Sequence, residues 1–276
     1  MTVSEIERAL IKTYRSKIYN KFIKAVVDFN LFSEGDCIGV CISGGKDSFV
    51  LAKLIQEYVR HGKVKIDAKY LVMDPGYSQE NLELLKKNAE ILGIPIQIKK
   101  SNVFEVAKAY GGEKPCYLCA RMRRGFLYEF AKENGCNKIA LAHHLNDVIE
   151  TTLLNIFYSS TFKTMLPKLK STNFENMELI RPLYYIEEKH IINFINYCNI
   201  TPLNCGCDVA SGKLDSKRRE IKNLIKQLKE INPDIEKNIF NSANNVNLNC
   251  ILGWTKDDKK YTFLDEYETN ISSDFE

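Results

Sequence analysis

The chain has 276 residues, of which 45% are hydrophobic and 27% are charged, a globular composition that argues against disorder. At ~150 residues per domain, this length fits one large domain or two small ones. No uncharged apolar run approaches the ~20 residues that span a bilayer, and charged residues throughout positions 1–30 argue against a secretory signal. We therefore exclude membrane and secreted proteins and expect a cytoplasmic location.

The net charge of +4 conceals an uneven distribution along the chain. Residues 255–276 carry three lysines and seven acids, a net of −4, so residues 1–254 carry about +8 by subtraction. A basic body suits a polyanionic partner, and the acidic end is predicted to be a solvated appendage.

The first half of the chain alternates between helical and strand patterns. Apolar residues at helical spacing predict a helical lead-in over residues 1–33. Short apolar runs predict strands at 37–42, 65–73, 94–99 and 138–142, and helical periodicity predicts helices at 49–61, 79–92, 120–134 and 145–158. Strands that alternate with helices predict a three-layer α/β fold with a doubly wound parallel sheet.

The second half of the chain is predicted to be more irregular. We expect a polar loop at 161–180, an extended segment at 179–186, a helix at 187–197, and two helices within 213–246 that are broken near Pro233. The predicted organisation is a helical extension (1–33), an α/β domain (34–210), a basic helical segment (211–254) and an acidic tail (255–276).

A glycine-rich loop lies between the first predicted strand and the next helix, where doubly wound folds bind their ligands. Glycines let the backbone approach a phosphate, and helix-start N–H groups, a lysine and hydroxyls favour an anion. No Walker A pattern occurs, so this is a different phosphate-binding loop, and its aspartate is a candidate magnesium ligand. The loop, SGGKDS, comprises Ser43, Gly44, Gly45, Lys46, Asp47 and Ser48.

Further polar residues follow two other predicted strands. In AHHLND (142–147), His143 and His144 are candidates to hold a phosphate, and Asp147 is a candidate to hold magnesium or a nucleotide group. Asp74 ends the second strand, where it either meets the nucleotide or forms the turn before Pro75.

Nine cysteines in a chain expected in a reducing compartment favour metal ligands over disulfides. Four of them form two pairs, CYLC at 116–119 and CGC at 205–207. Cys116 and Cys119 are close enough to chelate one metal centre, and together the two pairs are compatible with a four-cysteine zinc site.

Two basic segments are candidates to contact phosphates. Arg121, Arg123 and Arg124 follow the CYLC pair, at the predicted start of a helix, and guanidinium groups bind phosphate oxygens bidentately. Residues 213–230 hold seven basic residues against three acids, which suits an RNA backbone or equally an ordinary solvated helix face.

The order of these motifs resembles the TtcA-like tRNA 2-thiocytidine synthetases of the PP-loop ATP pyrophosphatase superfamily. The resemblance rests on SGGKDS, then CYLCARMRRG, AHHLND and IRPLYYIEEKHI, and it runs from about residue 37 to residue 210. It implies cleavage of ATP between its α and β phosphates with adenylation of a base carbonyl. It also implies a [4Fe-4S] cluster on three cysteines, Cys116, Cys119 and Cys207 (or alternatively Cys205), with one iron open to carry sulfide.

The resemblance also assigns roles and partners. Lys46, Asp47 and Asp147 would be catalytic, with ATP and magnesium as cofactors. The nucleotide would be bound by Ser43, Gly44, Gly45, Lys46, Asp47, Ser48, Asp74, Arg123, Arg124, Ala142, His143 and Asp147. The implied partners are tRNA and a sulfur donor, either a cysteine desulfurase or free sulfide, and a homodimer is compatible with the family.

The choice of substrate rests on what the chain lacks. The 2-thiouridine enzymes of the TtuA type carry extra zinc-binding CxxC pairs near both ends, and this sequence lacks them, which favours cytidine in the anticodon loop. The CGC spacing departs from the CxxC that TtcA-like proteins usually have there, so a 2-thiouridine-forming or other PP-loop thiolase with a different substrate stays open. A PP-loop ligase with structural zinc and a non-catalytic RNA-binding zinc module are the alternatives.

Overall fold

A computed structural model describes residues 1–103, 106, 115–203, 214–265 and 267, with the backbone alone described at 115–117, 119–120 and 214–216. In these ranges, six strands form one sheet in the order β3-β2-β1-β4-β6-β5, parallel except for the β5–β6 pair. The strands are β1 Cys37–Ile42, β2 Asp67–Asp74, β3 Ile96–Lys100, β4 Lys138–Ala140, β5 Lys168–Lys170 and β6 Glu178–Ile180.

Helices cover both faces of the sheet. Alternate residues of β1 point to opposite faces, so that Ile38 and Val40 join the larger core with α1–α4 and α7, whereas Cys41 joins a second core under α5. The three-layer, doubly wound α/β fold expected from the sequence is confirmed. The helices are α1 Val3–Ile11, α2 Asn20–Asp28, α3 Lys46–His61, α4 Gln79–Leu92, α5 Pro115–Glu133, α6 Leu145–Ser159, α7 Glu188–Tyr197, α8 Leu214–Ile231 and α9 Ile235–Ser242.

The N-terminal helices are packed into the main core. Ile6, Leu10 and Phe22 are fully buried against it, and the buried ammonium of Lys53 on α3 lies 2.8 Å from the Glu7 carboxylate on α1. Within the described ranges, no helix is both long and apolar enough to cross a bilayer.

The start of α5 differs from the prediction. The helix begins at Pro115 rather than at Ala120, so Cys116 and Cys119 lie inside the helix and not before it. Proline is favoured at the first helical position, because its missing N–H would be unpaired there in any case. Arg121 consequently lies in the second helical turn and not in the first, as the sequence had suggested.

The region 161–186 also differs from the prediction. The expected polar loop contains both β5 and β6, and the expected extended segment over 179–186 ends as a strand at Ile180. Pro182 cannot donate to a strand ladder, and the chain turns there, with the Tyr184 N–H donating to the Arg181 carbonyl at 3.3 Å.

A β-hairpin lies at the start of the expected acidic tail. Its strands are β7 Gly253–Lys256 and β8 Lys259–Thr262, and the Trp254 and Tyr261 rings stack at 5.5 Å between centroids. Asp257 and Asp258 both have positive φ, which suits a two-residue hairpin turn. Asp257 and Asp258, which were counted among the charges of the acidic tail, therefore form the turn of a hairpin.

Candidate active site

The strand order creates a crevice at the carboxyl end of β1, because the chain extends the sheet on opposite sides of this strand. The chain builds β2 and β3 on one side of β1 and then crosses to build β4 and β6 on the other side. In such sheets, ligands bind at the carboxyl ends of the strands where the order reverses. The SGGKDS loop follows β1 and AHHLND follows β4, so the fold brings both predicted motifs to this crevice.

The glycine loop has a backbone that only glycine accommodates easily. Gly44 has φ +81°, and a Cβ added there would lie 2.5 Å from Leu203 Cδ1. The Leu203 N–H donates to the Gly44 carbonyl at 2.9 Å, which fixes the loop. Gly45 caps α3 without a side-chain hydrogen bond, so the N–H groups at this helix start stay available to an anion.

Lys46 is held between two carboxylates. Its Nζ lies 3.1 Å from Asp47 Oδ2 and 2.9 Å from Glu188 Oε1 at the start of α7. Burial alone lowers the pKa of Lys46, but the Asp47 charge and the Glu188 hydrogen bond outweigh burial and raise it. The ammonium is therefore charged and oriented at the mouth of the loop.

His144 connects the two motifs. It caps α6 and is only 3% exposed. Its ring Nε2 lies 3.7 Å from Asp47 Oδ1, and its backbone N–H donates to Asp147 Oδ2 at 3.0 Å. Asp47 Oδ1 is buried and has no hydrogen-bond partner among the described residues. A buried carboxylate oxygen without a donor is suited to a cation.

Basic side chains of helix α8 form ion pairs with carboxylates of this site. Arg218 Nε lies 2.7 Å from Glu150 Oε2 and its Nη2 lies 3.5 Å from Asp147 Oδ1. Lys222 Nζ lies 3.6 Å from both Glu150 Oε1 and Glu188 Oε2. The site is therefore a network of alternating charges that joins α3, α6, α7 and α8.

Asp74 forms the turn before Pro75, which is one of the two roles that the sequence left open. Its Oδ1 accepts hydrogen bonds from the Gly76 and Tyr77 N–H groups at 2.9 and 2.8 Å. The Tyr77 hydroxyl in turn donates to the Ser43 carbonyl at 3.2 Å, so this turn packs against the glycine loop. A contact between Asp74 and nucleotide remains a prediction.

Comparison with known proteins agrees with this geometry. Residues 11–204 match the PP-loop domain family. A tRNA-cytidine(32) 2-sulfurtransferase of Geobacter metallireducens is 38% identical over 237 residues, covering 85% of this chain and 91% of that protein. The enzyme of the same name from Geobacter sulfurreducens is 35% identical, over 86% of this chain and 92% of its own. The chain belongs to this PP-loop sulfurtransferase family. The resemblance seen in the motifs is confirmed, and so is the transferase class.

The PP-loop fold also has a solved structural neighbour. The U34-tRNA thiolase NcsA from Methanococcus maripaludis, determined with its [4Fe-4S] cluster, superposes with a TM-score of 0.66 at 20% identity. The match covers 82% of this chain and 76% of that one. At this identity, the likeness supports the fold.

The predicted cluster ligands and the three predicted arginines of this PP-loop protein lie on α5 or outside the described residues. Cys116 and Cys119 lie three positions apart in the first two turns of α5. The side chains of Arg121 and Arg124 are exposed and Arg123 is half-buried. Cys205 and Cys207 lie outside the described residues, and within the described ranges no three ligand-type side chains converge on one point.

Several residues of this PP-loop site were missed by sequence reasoning. Glu188 and Glu150 come from helices whose packing the sequence pattern does not reveal. Arg218 and Lys222 lie in the basic segment 213–230 that was predicted to suit an RNA backbone, but their pairing with these carboxylates was not predicted. Arg181 directly follows strand β6 at the same edge of the sheet as the two motifs, whereas the sequence analysis placed it inside an extended segment over 179–186. His143 lies at this edge too, as predicted, next to His144.

Proposed function

We propose that this protein is an ATP-dependent tRNA sulfurtransferase that adenylates C2 of a cytidine in the anticodon loop and replaces the carbonyl oxygen with sulfur. The observation that carries the proposal is the charged Lys46, held at 2.9 Å by Glu188 at the mouth of an uncapped helix start. This anion site lies in a chain that is 38% identical to a tRNA-cytidine(32) 2-sulfurtransferase.

The nucleotide lies with its phosphates at the start of α3. The base carbonyl oxygen attacks the α-phosphorus, an O–P bond forms, and the bond to the β-phosphate oxygen breaks to release pyrophosphate. Lys46 balances the charge that develops on the leaving pyrophosphate. Asp47 and Asp147 hold Mg²⁺, a role that is supported by the unpartnered Asp47 Oδ1 and the position of both residues beside His144.

An iron–sulfur cluster fits the donors of this chain. Cys116 and Cys119 are three positions apart in the chain, the CxxC spacing that is typical of two cysteines bound to one metal centre. We assign Cys207 as the third ligand, with Cys205 as the alternative. When bound, the cluster supplies the sulfur that replaces the carbonyl oxygen as AMP leaves.

The polyanionic partner is tRNA. Arg121 and Arg124 are exposed on α5, and α8 carries further basic residues beside the crevice, which suits phosphate contacts that fix position without reading sequence. An anticodon-loop base leaves its stack more easily than a base in a duplex. The sulfur donor is a cysteine desulfurase or free sulfide, the reaction takes place in the cytoplasm, and a homodimer is compatible with it.

Nucleoside analysis of tRNA tests this function directly. We expect 2-thiocytidine in tRNA from cells that carry the gene, its loss when the gene is deleted, and its return with the wild-type gene but not with the Lys46→Ala variant. Mass spectrometry of digested tRNA measures all three. Loss of a thiouridine instead would move the target to uridine, and unchanged thionucleosides would refute the proposal.

A further inference from the structure

Two polar side chains, each with one unpartnered nitrogen among the described residues, follow adjacent strands at the ligand-binding edge. Ala140 on β4 pairs with Ile180 on β6, and the Leu141 N–H donates to the Ile180 carbonyl at 2.9 Å. His143 and Arg181 follow these paired ends and therefore emerge at the same edge of the sheet.

Both side chains carry a buried nitrogen without a hydrogen-bond partner in the described part of the chain. These atoms are His143 Nδ1 and Arg181 Nε, and Arg181 as a whole is only 6% exposed. Arg181 Nη1 does donate to the Leu166 carbonyl, which anchors the guanidinium. Buried polar groups are almost always paired, so two exceptions at one ligand-binding edge need an explanation.

The charges around His143 determine where its proton resides. Burial, followed by the Arg181 charge, lowers the pKa of His143 to about 4, so its imidazole is neutral at neutral pH. Arg218 and His144 act in the same direction, whereas Asp147 opposes them. A neutral imidazole carries one N–H and one lone pair. A buried N–H without an acceptor is costly, whereas nearby cations stabilise a lone pair, so Nδ1 carries the lone pair and Nε2 the proton.

We propose that His143 donates its Nε2–H to an α-phosphoryl oxygen of the bound nucleotide and that Arg181 is the positioning residue that fixes this tautomer. The nucleotide part rests on the proposed function. The α-phosphoryl group is favoured because His143 leaves the strand next to β1, whose end carries the phosphate-binding loop. A fixed, neutral donor stabilises charge that develops on phosphoryl oxygens without releasing a proton.

Imidazole ¹⁵N NMR of the full-length protein tests the tautomer. The chain has only four histidines, and the His143→Gln variant identifies the signal of interest. We expect an Nε2–H imidazole that stays neutral through about pH 6 to 7, where an ordinary histidine titrates. AMP should shift this signal, and pyrophosphate alone should not. An Nδ1–H tautomer, ordinary titration, no response to AMP, or a response to pyrophosphate alone would each overturn the assignment.

Variants of Arg181 test the positioning role. We expect Arg181→Gln to raise the pKa of His143, to move the neutral imidazole away from the Nε2–H tautomer, and to reduce AMP formation. Arg181→Lys, which keeps the charge, should retain the Nε2–H tautomer, and it provides the comparison should Arg181→Gln fold poorly.

A matched control separates this role from anchoring of the neighbouring loop. The Tyr184 hydroxyl donates to the Met165 carbonyl at 2.7 Å, next to the Leu166 carbonyl that Arg181 holds. Tyr184→Phe should leave the His143 signal unchanged, and the same spectral change in both variants would refute the positioning role. The spectra need no tRNA, so a wrong tautomer in a protein that thiolates tRNA overturns this inference alone.

Discussion

Replacement of Lys46 with alanine is expected to abolish ATP-dependent AMP formation while the fold and any bound iron are retained. Among the described residues, the ammonium pairs with two side chains at the mouth of the loop, Asp47 at 3.1 Å and Glu188 at 2.9 Å, so its removal leaves the core intact. Loss of one preorganised group that stabilises transition-state charge typically lowers the rate by ~10²–10³-fold. AMP release is measured with purified tRNA as the acceptor.

Lys69→Ala is the matched control for this experiment. Lys69 on β2 is also paired with a neighbouring aspartate, Asp67, at 3.0 Å, but this pair lies at the opposite end of the sheet from the site. The control should form AMP at the wild-type rate. Asp47→Ala should behave like Lys46→Ala, and near-wild-type AMP formation in both would contradict the assigned catalytic loop.

Replacement of Cys116 or of Cys119 with serine is expected to remove the bound iron and to abolish tRNA thiolation. A cluster held by three thiolates does not tolerate the loss of one of them, because serine is a poor ligand for iron–sulfur clusters. Protein purified without oxygen should be brown, with iron and sulfide in near-equal amounts. Cys207→Ser should lose both as well, and Cys205→Ser should keep them.

The exposed, free Cys250 supplies the control, and Cys250→Ser should retain iron and activity. Colourless anaerobic protein with stoichiometric zinc would refute the cluster and support the structural zinc site instead. If Cys205→Ser loses iron and Cys207→Ser keeps it, the assignment of these two cysteines is reversed.

The parts of the site that the sequence predicted are those in which a motif directly follows a strand. SGGKDS follows β1 and AHHLND follows β4, so the general rule for parallel sheets was enough to bring Lys46 and His144 together. The start of α5 was misplaced because apolar periodicity begins only after the cysteines, although Pro115 was an available signal for a helix start.

The parts that sequence reasoning missed depend on which strands and helices become neighbours. Arg181 lies beside His143 only because β6 pairs with β4, and a strand of three residues gives no pattern that predicts its partner. The Glu188 contact with Lys46 likewise requires the first residue of α7 to lie beside the first residue of α3. Such contacts follow from tertiary packing, which local periodicity does not encode.

The charge network of α8 has a consequence for how tRNA affinity depends on salt. Arg218 and Lys222 already face carboxylates, Lys229 pairs with Glu236, and the Lys217 ammonium lies 4.6 Å from the centre of the Tyr158 ring. Protein cations that neutralise RNA phosphates release condensed counterions from the RNA, at ~0.7 to 0.9 units of salt slope per neutralised phosphate. A cation whose charge is already balanced by a carboxylate neutralises less phosphate charge than a free lysine does. The logarithm of tRNA affinity should therefore fall less steeply with the logarithm of salt concentration than the basic composition of α8 implies.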